Sequence, residues 1–298
     1  MSKRKQVGTV IFQVLLFVIT AVTLICAILK FGIYDRDILF SGIVDSAFDK
    51  TVLEAAEHSF DSGQSIIAFP ANELYEALDK SAFLNDCHQY TASAVDALMT
   101  GSEITLYQGA HKEIEKTVRK QFEAFEQESG MIVSEEDIAE VTTLLTNHVN
   151  AQANYLPETV QRLLPKMGTS VNRYASLLLS FLFPGALLTL CFVVLIFLIN
   201  QDNFSRAAYK SAVAMWMASA TVFIPSMIFC SYDVGERLKL KASGMASFAQ
   251  GIVNTIETQL KTCTITAFAI MTVVLVVCMA WYSVMQTKRH EKYTWRKE

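Results

Sequence analysis

Hydrophobic residues are arranged along this chain in two ways. Four stretches, 7–29, 175–199, 211–230 and 262–285, contain no Asp, Glu, Lys, Arg or His. Each meets the roughly 20 residues that a helix needs to cross about 30 Å of hydrocarbon, so each predicts a transmembrane helix. Elsewhere apolar residues recur at helical steps of three and four. Between the first two spans, Val44, Phe48, Val52 and Ala55 predict a helix over about 37–59, ended by Asp61-Ser62-Gly63. Leu74, Leu78, Leu84, Val95 and Leu98 predict a second, from Pro70-Ala71-Asn72 to Thr100, closed by Gly101. A third is expected from Ser102, carrying Ile104, Tyr107, Ile114, Val118 and Phe125, with Gly130 as its stop.

Ser134 and Asp137 form an S-x-x-D capping pattern that opens a fourth helix, with Ile138, Val141, Leu145 and Tyr155 on its apolar side. A short piece at 157–164 follows, proline first, and Pro165 and Gly168 are expected to separate it from the second span. Long helices joined by short loops pack as antiparallel neighbours. The chain therefore reads as an all-α membrane protein: four transmembrane helices plus an extracytoplasmic antiparallel helical bundle, 31–173, between spans one and two. In the 231–261 loop, Met245, Phe248, Ile252, Ile256 and Leu260 form one more helical stripe, expected to lie against the bundle or along the membrane surface.

Composition agrees with this division. Of the 298 residues 18% are charged and mean hydropathy is +0.32, against about 25% charged in soluble domains. All the charge lies outside the spans, where its density is ordinary. That excludes a plain cytosolic enzyme, a nucleic-acid binder and a disordered chain. The first span follows a basic stretch, 1–6, but is longer than the roughly 7–15 residues of a signal-peptide core, and no A-x-A site follows it. Cys26 follows Thr23-Leu24-Ile25, without the small residue of a lipoprotein site. An uncleaved anchor is expected.

Charge sign then orients the chain. Lys3, Arg4 and Lys5, Arg206 and Lys210 in the 200–210 turn, and Lys288, Arg289, Lys292, Arg296 and Lys297 in the 286–298 tail fall on one side of a four-span layout. Positive short loops face the cytoplasm, so a cell-membrane protein with both termini inside is expected. The 31–173 segment then lies outside, and it carries 23 acidic against 10 basic side chains. Arg237, Lys239 and Lys241 sit in the outer loop, where they could dock on that acidic segment or stand as a solvated patch near headgroups. Tyr34, Tyr174 and Tyr232 mark outer span ends, and Tyr209, Trp281 and Tyr282 inner ones. Pro184-Gly185 and Pro225 are tolerable kinks, and Ala214 and Ala218 a close-packing pair.

Candidate chemistry is sparse. No span holds an ionisable residue, which argues against a coupled transporter or proton pump. If the second and third helices fold about Gly101 and the third and fourth about residue 131 or 132, His88, His111, Glu115 and His148 come level. Such a layer could bind zinc or titrate near neutral pH. The alternative is ordinary buried histidines hydrogen-bonded to neighbours, with no cofactor. Cys230 and Cys263 fall at the outer ends of consecutive spans, where they form either a disulfide or two free thiols. Cys26, Cys191 and Cys278 read as packing residues within spans. No phosphate-binding loop, nucleophile elbow or dinucleotide fingerprint is present, and the cytoplasmic segments are too short for a catalytic domain.

The expected function is therefore non-enzymatic: a helical outer domain that senses, binds or scaffolds a protein partner or a second copy of the chain. In layout (one span, a large outer segment, two spans, a small outer loop, one span) the chain also resembles the four-span permeases of the cell-division and macrolide-exporter type. That resemblance implies a permease subunit working with a separate ATPase chain. The sequence departs from it in the short 200–210 turn and in an outer segment without strands.

Overall fold

The computed structural model describes residues 3–63, 75–76, 78–109, 112–237 and 243–294. Among these, regular structure is helical and no strand occurs. The helices are α1 (Lys3–Ile28, continued by a π-turn, Leu29–Ile33), α2 (Arg36–Ile43), α3 (Ser46–Gly63), α4 (Lys80–Thr100), α5 (Lys112–Ser129), α6 (Glu135–Ala153), α7 (Glu158–Ile199), α8 (Phe204–Cys230), α9 (Val234–Arg237) and α10 (Ser243–Thr294). The chain divides into two compact units. The first comprises Met1–Asp35, Arg173–Val234 and Ile256–Glu298; the second comprises Arg36–Asn172 and Gly235–Thr255.

The first unit has the character of a membrane protein. Four helical stretches, Gln6–Ile33, Glu158–Ile199, Phe204–Cys230 and Gly244–Lys288, are long and apolar enough to cross a bilayer. Only 6% of the most apolar window is buried in the second and fourth of these, so their side chains present apolar surface outward. Within the unit, α1 packs on α8. The buried face of α8 is made of small residues, Ala207, Ala208, Ser211, Ala212, Ala214, Ala218 and Ser219, which let two backbones approach where lipid supplies no hydrophobic drive. Leu16 and Ile196 fill the space above Ala207 and Ala214. Polar clips tie the helices laterally: Gln13 Nε2 donates to the Lys210 carbonyl (3.1 Å), Asn200 Nδ2 to Thr9 Oγ1 (3.3 Å) and Trp216 Nε1 to Thr272 Oγ1 (3.1 Å).

The second unit is a helical domain in which α2 and α3 pack on α4, α6 packs on α3 and α4, and α5 and α6 form a hairpin. Its core holds Phe48, Phe83, Tyr90, Val95, Ile114, Val118, Leu145 and Val149. The expected Ser134 cap is present with its full reciprocal bonding: Asp137 N donates to Ser134 Oγ (3.1 Å), and Ser134 N to Asp137 Oδ2 (3.3 Å). At the end of α4, Gly101 has φ 81° and its N–H bonds the Ala97 carbonyl (3.0 Å), a left-handed cap that glycine takes without steric cost.

Four sequence expectations are corrected here. The helix expected over 37–59 is two helices, because the Asp45 carboxylate accepts the Phe48 N–H (2.7 Å) and starts α3 afresh. The helix expected from Ser102 begins at Lys112; residues 102–109 are not helical. No break occurs at Pro165 or Gly168, since both lie inside α7. Gly168 serves packing instead: a Cβ there would run into the Ala97 carbonyl and the Gly101 amide. Finally, the bundle extends beyond 31–173, and of the two places expected for the 231–261 stripe the one against the bundle holds. Residues 243–255 complete it, with Gly244 against the Tyr155 ring, Phe248 6.3 Å from that ring, and Gly251 against Ile43. The stripe begun by Met245 and Phe248 and the fourth span belong to one helix, α10. The expected opening of the second helix at Pro70-Ala71-Asn72, with Leu74, lies outside the described residues.

Candidate functional site

The helical domain carries an open cleft of about 580 Å³. One wall is the α4 face bearing Gln89, Ser93 and Asp96, three positions that helical spacing brings into line. The other wall is the non-helical stretch 102–109, and Arg36 stands at the rim. Arg36 grips Asp96 in a two-pronged pair, Nε to Oδ1 at 2.5 Å and Nη2 to Oδ2 at 3.0 Å, the geometry that suits a planar guanidinium best. Hydrogen bonding to Asp96, and then its charge, raise the Arg36 pKa further. Both side chains are more than a third exposed, so the pair sets geometry more than stability.

The 102–109 wall is held by side chains rather than by a sheet. Thr105 N donates to Ser93 Oγ (2.7 Å). Tyr107 N donates to Asn154 Oδ1 (2.8 Å), and Asn154 Nδ2 returns a bond to the Tyr107 carbonyl (3.0 Å). The Asn154 amide thus does for Tyr107 what a neighbouring strand would do. The Tyr107 hydroxyl hydrogen-bonds Asp86, a carboxylate only 5% exposed. Burial, then this bond, push the phenol up to about 12. A buried carboxylate is costly unless it finds such a donor.

Behind the cleft lies an aromatic and polar core. Tyr155 meets Tyr90 and Phe48 edge-on, with ring centroids at 5.3 and 5.7 Å. The Thr91 hydroxyl donates to the Cys87 carbonyl (2.7 Å), so it accepts from the Tyr155 hydroxyl 2.9 Å away. Burial pushes the Tyr155 and Tyr90 phenols up, and raises the fully buried Cys87 thiol likewise. Cys87 therefore stays protonated and inert at neutral pH.

The sequence-derived candidates are placed as follows. His88 Nε2 lies 2.7 Å from Asp49 Oδ1, with its ring beside Phe48. Glu115 pairs with Arg119 (3.3 Å), which also reaches Glu135 (2.9 Å). His148 is half-buried on α6, and His111 lies outside the described residues. Among the described residues no group of three or more His, Cys, Asp or Glu side chains is placed to hold a metal. Cys230 and Cys263 are both free thiols. Cys230 Sγ lies 3.5 Å from the Glu257 carbonyl, and Cys263 Sγ lies against Gly32. Arg237 is exposed, while Lys239 and Lys241 lie outside the described residues.

Sequence reasoning missed the cleft. Its signal was the run Ile104-Thr105-Leu106-Tyr107, whose β-branched and aromatic residues favour extended backbone. No protein-family model matches the chain, nor does any curated protein or solved structure.

Proposed function

We propose that this is a non-enzymatic, multi-pass membrane protein whose helical domain lies outside the cytoplasm and binds a protein partner in the cleft beside Arg36 and Asp96. The observation that carries this reading is the cleft itself. It is open, its lining mixes polar and apolar side chains, and its walls are tied by bonds to Ser93, Asn154 and Asp96. Walls held before binding lower the ordering cost that association otherwise meets. Lys and Arg in the N-terminus, the 200–210 turn and the tail support cytoplasmic termini and an outward-facing domain.

Two measurements test it. A membrane-impermeant maleimide should modify Ser102→Cys in intact cells and reach Asp202→Cys only after permeabilisation; the reverse pattern overturns the orientation. A photo-crosslinking residue at Gln89 should give a discrete protein adduct that one at Glu123 does not. Equal adducts at both positions overturn the cleft as a binding site. An ATPase in the adduct would move the reading to a permease-type subunit.

A further inference from the structure

Residues 102–109 have one edge occupied and one edge open. Thr105 and Tyr107, two residues apart, turn their amides to the same side, toward Ser93 and Asn154. The Tyr107 hydroxyl sits where a side chain at Gly109 would begin, so positions 107 and 109 also share a face. Both facts give the period of two that defines extended backbone. By that alternation, Ile104, Leu106 and Gln108 direct their N–H and C=O groups to the opposite side. Among the described residues, none bonds these main-chain groups. Leu106 and Gln108 are exposed. The result is a short strand edge without a sheet, which is a template for another strand.

Building on the cleft as a binding site, we propose that this outward edge takes up an extended, basic peptide segment of the partner by main-chain strand addition. Main-chain pairing selects an extended backbone without regard to sequence. Charge selects its side chains: among the described residues that line the cleft the one cation, Arg36, is engaged by Asp96, whereas Glu103 lies exposed on the same wall. The surrounding 31–173 segment has 23 acidic and 10 basic residues, which favours the approach of a cationic peptide. The same excess disfavours a second copy of the chain, because pairing two such edges would bring two acidic domains together.

The test uses the full-length protein in nanodiscs and a fluorescein-labelled hexapeptide of alternating valine and lysine, read by fluorescence polarisation. A paired strand uses only every second peptide N–H. Methylating the valine nitrogens and methylating the lysine nitrogens should therefore differ in effect, one abolishing binding and the other being tolerated. Leu106→Pro, which deletes one edge donor, should weaken binding about tenfold, while Leu106→Ala leaves it unchanged. Glu103→Gln should weaken binding and flatten its salt dependence.

Absence of binding, equal binding of both methylated peptides, or full affinity in a folded Leu106→Pro protein overturns the proposal. So does dimerisation of the chain through residue 106. The methylated peptides decide the matter even if the proline variant does not fold. A Gln89 adduct that persists in Leu106→Pro would remove strand addition and leave the cleft as a binding site. Loss of the Gln89 adduct alone would remove the cleft's cellular partner.

Discussion

Asn154→Ala tests whether one side chain holds the cleft wall in place. Asn154 exchanges two bonds with Tyr107, at 2.8 and 3.0 Å, across 47 residues of sequence. A hydrogen bond of this kind contributes about 1 kcal/mol net, so the substitution should favour local detachment of 102–109 by about 2 kcal/mol. That corresponds to about 30-fold faster amide exchange in the detached segment. Exposure of the segment to water sets the lower bound, since water can replace part of what is lost. The assay is hydrogen–deuterium exchange with mass spectrometry on the purified full-length protein, comparing the peptide containing Tyr107 with one from α4. Exchange should rise in the first and not in the second. Asn154→Asp keeps the acceptor for the Tyr107 amide and loses the donor, so it should fall between. Unchanged protection around Tyr107, or an equal rise in α4, would refute the idea that this amide stands in for a strand.

Three further outcomes follow from the packing. Gly168→Ala should lower the melting temperature of the helical domain and cost about 1–3 kcal/mol, because the added Cβ meets main-chain atoms of Ala97 and Gly101 that cannot swing aside; a circular-dichroism melt checks it. Phe248→Ala should cost about 3–5 kcal/mol and raise exchange in residues 245–255, since its buried ring lies tilted against Tyr155. Tyr107 has a phenol raised to about 12 against about 10 in an unfolded chain. Its contribution is therefore complete below about pH 10 and is lost as pH rises toward 12. Tyr107→Phe should flatten the alkaline part of the stability profile in chemical denaturation, while leaving its slope near pH 7 alone.

The features legible in the sequence are those whose cause is local or compositional. Uncharged runs give the spans because lipid excludes charge, and Ser134 with Asp137 gives a helix start because the cap is closed within four residues. The missed features depend on distant partners. Pro165 and Gly168 read as breakers by propensity, yet Gly168 lies against Ala97 and the helix continues past both. Ile104 and Tyr107 fit a helical stripe because they stand three residues apart; Ser93 and Asn154, which hold the segment extended, are 12 and 47 residues away. Asp45 falls inside the helix expected over 37–59, although its carboxylate begins a new one. For the histidines, level positions on paper did not anticipate Asp49 beside His88 or Arg119 beside Glu115.

Completion of the helical domain by residues 243–255 has a consequence for the order of biosynthesis. When the ribosome has finished Asn172, the domain still lacks the helix that covers Tyr155 and Ile43. Roughly seventy more residues, including two of the candidate spans, must be made before Gly244 and Phe248 emerge. During that interval the nascent domain lacks the helix that packs on its aromatic core. A chain stopped after the second span is a folding intermediate with that core uncovered. The domain can therefore close only after the third candidate span has been made.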